Sequence, residues 1–260
     1  LKKSPRLRME TKERLLAIGS PLALVVIWQI MNWMNLLDAR FVPSPITIGQ
    51  GAYKLMESGE LWVHMYASLW RLSVGFLLGA VPGIIIGLIM GLSRWVRAAL
   101  DPIVSATYPI PKIAILPLIM LLFGIGDASK IVVVAIAVVF LVLINTMVGV
   151  MTIDSVYFDV AKNYGAPWRK MFTRLIIPGA LPLIFAGLRL GVGVSLIVIV
   201  AAEFVAANSG IGYLIWTSWE TLIIENMFVG IIVITMLGVV STIVLREVER
   251  AVIPWRRERV

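Results

Sequence analysis

The stretch DSVYFDVAKNYGAPWRKMFTRLIIPGALP, residues 154–182, is the one long polar interruption in a chain otherwise made of membrane-length apolar runs. It lies between the apolar runs 132–150 and 183–205 and is patterned as two short helices. In the first, Val156, Val160 and Tyr164 stack on one side, while Asp159, Lys162 and Asn163 point elsewhere. Gly165 breaks the chain. After Pro167 a second helix places Trp168, Met171, Phe172, Leu175 and Ile176 on one face, with Arg169, Lys170, Thr173 and Arg174 opposite. A helix–turn–helix set between two spans is a surface offered to another molecule.

Working outward, 60% of the 260 residues are hydrophobic and 15% are charged, which makes the chain an all-α integral membrane protein. A spanning helix needs about 20 mostly apolar residues. Six runs qualify: 15–37, 68–92, 98–124, 132–150, 183–205 and 227–245. They do not alternate polar and apolar residues as a lipid-facing barrel would. The absence of cysteine excludes disulfides, thiol nucleophiles and thiolate metal sites. The first run follows Lys2, Lys3, Arg6, Arg8, Lys12 and Arg14, is too long for a signal-peptide core and has no small-residue cleavage pattern after it. It is expected to be a permanent helix, and an opening Leu1 suggests a non-AUG start or a trimmed terminus. The organisation is therefore a basic N-terminus (1–14), one transmembrane domain (15–245) containing the 154–182 loop, and a basic C-terminus (246–260).

Lysine and arginine are retained on the cytoplasmic side of spans. With the N-terminus inside, seventeen of the 23 basic residues fall in cytoplasmic segments and three, Arg40, Lys54 and Lys130, in outer loops. Both termini and the 154–182 loop are thus expected in the cytoplasm. The net charge of +8 follows from this topology, so the basic character does not call for a nucleic-acid partner.

Gly75, Gly79, Gly83, Gly87 and Gly91 recur at a strict four-residue period, a spacing that lets two helices approach closely in lipid. The contact they make is within one subunit, at a subunit interface or at a moving surface. In the third run, Pro109, Pro111 and Pro117 surround Lys112, which predicts either a discontinuous helix beside a transport route or a re-entrant entry to a shorter span. Arg71, Lys112, Arg189 and Glu203 are charges at membrane depth, candidates for the pathway or for buried pairing, since each costs about 2.5–3.5 kcal/mol at mid-bilayer on insertion scales. Arg71 and Glu203 both fall in the outer third and can neutralise one another. No catalytic constellation is present: His64 is the sole histidine, and no lysine follows a glycine, so a phosphate-cradling G-x-x-x-x-G-K-[ST] loop is missing. The chain is expected to be no enzyme and to hold no cofactor of its own.

The spacing Asp159-Val160-Ala161, three residues, Gly165, nine residues, Leu175-x-Ile177-Pro178 resembles the EAA loop of binding-protein-dependent ABC transporter permeases, whose form is E-A-A, three residues, G, nine residues, I-x-L-P. Asp159, Val160, Leu175 and Ile177 are substitutions within it; Ala161, Gly165 and Pro178 match. Pro43-Ser44-Pro45, Ser68-Leu69-Trp70-Arg71, Leu116-Pro117-Leu118, Phe123-Gly124-Ile125-Gly126, Asn145-Thr146, Gly187-Leu188-Arg189, Ala202-Glu203 and Gly210-Ile211-Gly212 extend the resemblance to the nitrate, sulfonate and taurine branch of these permeases. It implies a MetI-like fold of about six spans in a bacterial inner membrane and a second permease copy around a central pathway. It also implies a separate ATPase subunit that binds ATP and Mg, and an extracytoplasmic solute-binding protein that delivers a small anion such as a sulfonate, taurine or nitrate. Asp159, Ala161 and Gly165 would then be the ATPase-coupling contacts, with Pro178 ending the second loop helix. An ion-coupled secondary transporter is the alternative, with the buried charges as its coupling sites.

Overall fold

The computed structural model describes residues 11–255, all-helical among the described residues. Most of the basic N-terminus and Arg256, Arg257 and Arg259 lie outside them, as do the side chains of Lys12 and Arg14. Helix α1 (Thr11–Trp33) leads through a loop to α2 (Pro45–Glu57). There Ser44 is the N-cap, accepting from Thr47 N–H at 3.1 Å, and Pro45 takes a first-turn place that needs no donor. Helix α3 (Glu60–Leu92) follows after Gly59 and, at 33 residues, is about 50 Å long. Ser93 caps α4 (Arg94–Thr107) through Val96 N–H.

The third apolar run, 98–124, is not one helix. After α4 come Pro109 and Pro111, a tight 3₁₀ turn (Lys112–Ile115) and α5 (Leu116–Phe123), with the two helical arms bent by 87°. Prolines lacking N–H donors explain the break, and the expected discontinuity is present. Helix α6 (Asp127–Met151) returns along α3. The polar stretch forms α7 (Ser155–Asn163) and α8 (Trp168–Met171), and then come α9 (Ile177–Ala206), α10 (Ile211–Glu220) and α11 (Ile224–Val252). The first residues of the basic C-terminus, 246–252, are the last turns of α11.

Four helices among the described residues are long and apolar enough to cross a bilayer: α3, α6, the continuous segment Trp168–Val205, and α11; the bent α4–α5 pair counts as a fifth if taken as one span. The expectation of six is met only approximately, since α1, 23 residues long, stands outside that set. Lys130, read from sequence as an outer-loop cation, is instead in the first turn of α6 and buried, its Nζ donating to Gly126 O at 3.1 Å.

Helix α6 is the centre of the core, with α3 on one side and α9 on the other. The α3 glycines are what permit this. A Cβ on Gly75 would stand 2.8 Å from the Ile131 carbonyl oxygen, and one on Gly87 would stand 2.6 Å from that of Leu143. The stripe therefore serves packing inside one subunit. Association in lipid depends on such close backbone approach, because burial of apolar surface gives no advantage there. Smaller clusters close the two ends: Val150, Ile176, Ala180 and Ile184 near α7, and Ile48, Leu55, Leu61, Leu214 and Val229 near α10.

Candidate functional site

Helix α7 is capped by its own residues. Asp154 Oδ1 accepts from Val156 N–H at 3.0 Å. At the other end Gly165 takes φ +64°, its N–H donates to Lys162 O at 2.8 Å, and Ala166 N–H donates to Ala161 O at 2.9 Å. That pair of bonds is a Schellman motif, so Ala161 and Gly165 are two halves of one helix stop. The expected apolar side of Val156, Val160 and Tyr164 is exposed, with Tyr164 at 88%, and Tyr157 and Asp159 are exposed beside it. From α7 it is Phe158 that leans on the core cluster at this end.

The second loop helix differs from expectation. Met171 and Ile176 are buried as the pattern requires, but the helix does not stop at Pro178. It passes through a π turn (Phe172–Ile176), in which Ile177 N–H bonds Phe172 O, and continues as α9. The wider turn lies immediately before Pro178, where a missing N–H and a ring clash with the carbonyl four residues back would otherwise interrupt an α-helix. Residues 168–205 thus form one 38-residue element that joins the loop to the far end of the molecule.

At that far end the structure brings Arg71 and Glu203 together. Arg71 Nη1 lies 2.8 Å from Glu203 Oε1, and the guanidinium also donates to Asp127 Oδ1 (2.7 Å), Ser209 O (2.6 Å) and Ser209 Oγ (2.9 Å). Ser68 Oγ donates to the Glu203 carboxylate at 2.8 Å, and Gly212 N–H donates to it at 2.9 Å. Arg71, Ser68 and Glu203 are all buried, Glu203 to 1% exposure. Burying a charge is tolerable when it is paired and hydrogen-bonded, which holds here on every side. Asp127, Ser68, Ser209 and His64 were not identified from sequence as partners. The available signal was that His64, Ser68 and Arg71 stand at i, i+4 and i+7 on one face of α3.

The other two membrane-depth cations are separate. Lys112 Nζ caps the end of α4, donating to Thr107 O (2.9 Å) and Tyr108 O (3.0 Å), and sits 4.6 Å from the centre of the Phe140 ring. Arg189 pairs with Glu249 of α11 at 2.7 Å. Both cations remain partly exposed. Among the described residues no cluster of His, Asp and Glu has the geometry of a metal site.

Comparison with known proteins places these features. Residues 83–254 match the family described as binding-protein-dependent transport system inner membrane component. A Bacillus subtilis (strain 168) protein named as an aliphatic sulfonates transport permease is 34% identical over 91% of this chain and 86% of its own length. The taurine transport system permease protein of Escherichia coli (strain K12) is 35% identical over 94% of this chain and 90% of its own. The nitrate import permease protein of a Synechocystis species is 32% identical over 89% and 86%. With the family match spanning most of the helical core, and with these relatives covering nearly the whole chain, the protein belongs to the inner membrane permease components of binding-protein-dependent ABC transporters.

Proposed function

We propose that the chain is the spanning subunit of an ATP-driven importer whose cargo is a small anion, a sulfonate, taurine or nitrate, as the names of its relatives suggest. The observation that carries this reading is the build of the loop. Helix α7 presents Val156, Tyr157, Val160 and Tyr164 to the surface, and the next element is a single helix running from Trp168 to the Arg71–Glu203 cluster. A partner seated on α7 can move α9 as a rod. In the proposed cycle the partner is an ATPase subunit that binds ATP and Mg, and Asp159, Ala161 and Gly165 shape the docking surface. Pro178 acts through the π turn that keeps the rod continuous. A second permease copy completes the pathway, and a solute-binding protein delivers cargo at the α10 end.

The same reading places the chain in a bacterial inner membrane with α7 and both termini in the cytoplasm, in line with the seventeen basic residues that fall in those segments against Arg40 and Lys54 on the other side. Lys112 and Arg189, the partly exposed cations, are the proposed contacts for an anion in the pathway. Arg71 and Glu203 are assigned to structure, because their hydrogen-bonding capacity is used internally. That internal use also counts against an ion-coupled secondary transporter, which needs titratable groups free to exchange.

The test is cargo uptake into proteoliposomes holding permease and ATPase, with ATP on the side of Asn163 and binding protein on the side of Asn208. Uptake requiring all components is expected. Asp159→Lys should reduce it at least about tenfold without loss of folded permease, by reversing the charge at a docking surface. Unchanged uptake by that variant, or uptake only with the two sides exchanged, would overturn the loop role or the orientation.

A further inference from the structure

A helix leaves its first N–H groups without intrahelical partners. In α10 three consecutive ones are taken by side chains from other helices: Gly210 N–H by His64 Nδ1 at 3.1 Å, Ile211 N–H by Ser68 Oγ at 2.7 Å, and Gly212 N–H by Glu203 Oε2 at 2.9 Å. His64 and Ser68 are one turn apart on α3, so α3 and α9 together hold the start of α10. The seat admits little variation. Gly210 adopts φ +122°, and a Cβ there would run into the Glu203 carboxyl group.

One of the three caps can be switched by a proton. Because His64 Nδ1 accepts from a backbone N–H, the neutral ring carries its proton on Nε2, which faces Glu60 Oε1 at 3.6 Å. A proton added to Nδ1 would set donor against donor and remove the cap. The resulting imidazolium has another partner ready, the Glu60 carboxylate. Glu60 lines an open groove of about 360 Å³ with Lys54, Ser58, Glu225 and Asn226, so solvent reaches the Glu60 carboxylate, while His64 is buried behind it. Ionisable groups on the side of the ring away from the groove are Tyr213 of α10, whose ring centre lies 5.7 Å away, and Glu203 across the captured turn, with Arg71, Asp127 and the buried Lys130 of α6 behind it. Lys54 and Glu225 complete the set across the groove, from α2 and α11.

We propose that His64 is a positioning residue of the transport cycle, and that His64, Ser68 and Glu203 form a proton-sensitive latch on α10. Neutral His64 holds the Gly210 N–H; protonated His64 pairs with Glu60 through Nε2, gives that N–H up, and leaves the first turn on the Ser68 and Glu203 caps alone. The consequence for transport rests on the importer reading, whereas the latch itself can be measured without it.

Ile211, fully buried beside the latch, reports release. The chain has no cysteine, so Ile211→Cys gives a single reporter, made both with His64 and with His64→Asn, whose Oδ1 keeps an acceptor near the Nδ1 position without titrating in this range. Labelling by a thiol reagent is compared between the two at the same pH, which cancels the reagent's own pH dependence. The labelling rate with His64 divided by that with His64→Asn should be near one at about pH 8 and at least about threefold at about pH 5.5, the range over which imidazoles titrate. Glu60→Gln, at an exposed position, removes the anionic partner of the imidazolium and should change the pH profile of labelling. In the full complex, uptake should fall with acidification on the α10 side for wild type and not for His64→Asn. Labelling ratios of one at both pH values, or a Glu60→Gln profile identical to wild type, would overturn the latch. Absence of ATP-driven uptake in wild type at every pH would instead remove the importer reading and leave the labelling result standing.

Discussion

The two ends of the molecule are held by opposite means. Helix α7 is capped by residues of its own segment, Asp154 at one end and the Ala161–Gly165 stop at the other. Helix α10 is capped by His64, Ser68 and Glu203, residues that belong to other helices. A locally capped helix keeps its shape while touching little, and α7 leaves a stripe of aromatic and branched side chains uncovered. A helix capped by its neighbours cannot shift unless α3 and α9 shift or the caps let go. The first arrangement suits docking to another protein; the second suits an internal lock, and α9 connects them.

The largest expected effect breaks the lock. Arg71→Met leaves the buried Glu203 carboxylate without its cation, and removal of one member of such a pair costs about 3–5 kcal/mol. Thermal unfolding in detergent should show a strongly reduced midpoint or a loss of folded permease. Adding Glu203→Gln to that variant should recover part of the loss, because the uncompensated charge is gone. Additive damage in the double variant would show that the pair does not act as one unit.

A smaller effect on stability, with a large one on transport, is expected at the other end. Nothing lies within 4 Å of a Cβ built on Gly165, so its φ of +64° is the only constraint there. A left-handed conformation costs an ordinary L-residue about 1–2 kcal/mol, less for Asn. Gly165→Val should therefore lower the unfolding midpoint by only a few degrees yet reduce coupled uptake, while Gly165→Asn retains most of it. Equal uptake by both variants would dissociate the turn angle from coupling.

The smallest effect belongs to an ion pair outside both regions. Arg40 and Asp38 meet at 2.7 Å in the α1–α2 connection, and the Arg40 side-chain hydrogen bond draws the Asp38 carboxyl down to about 2. A depressed carboxyl contributes above its unfolded value of 3.8 and loses that contribution as pH falls through about 2. Between about pH 5 and 8 it stays ionised, and with Arg40 83% exposed, Asp38→Asn should not change the unfolding midpoint measurably. A marked drop would show that solvent does not weaken this pair relative to the buried one at Arg71.

Local chemistry along the chain was enough to give the class, the amphipathic faces of the polar loop, the stop at Gly165 and the break around Lys112. Each rests on a short-range property: apolar run length, helical periodicity, glycine's tolerance of positive φ and proline's missing donor. The pairing of Arg71 with Glu203 was also legible, because two opposite charges at one membrane depth have few alternatives. The remaining features arise from packing in three dimensions. Asp127 and Ser209 join Arg71, and Glu249 finds Arg189, from segments that sequence reading leaves outside the six apolar runs. Pro178 sits inside a continuous helix because a π turn upstream absorbs its geometry. His64 becomes a cap for Gly210 although 146 positions separate them. Periodicity along one helix cannot say which face of another it will meet; that choice is made by close packing of α3, α6 and α9, where the depth of each glycine contact fixes which side chains come within hydrogen-bond reach.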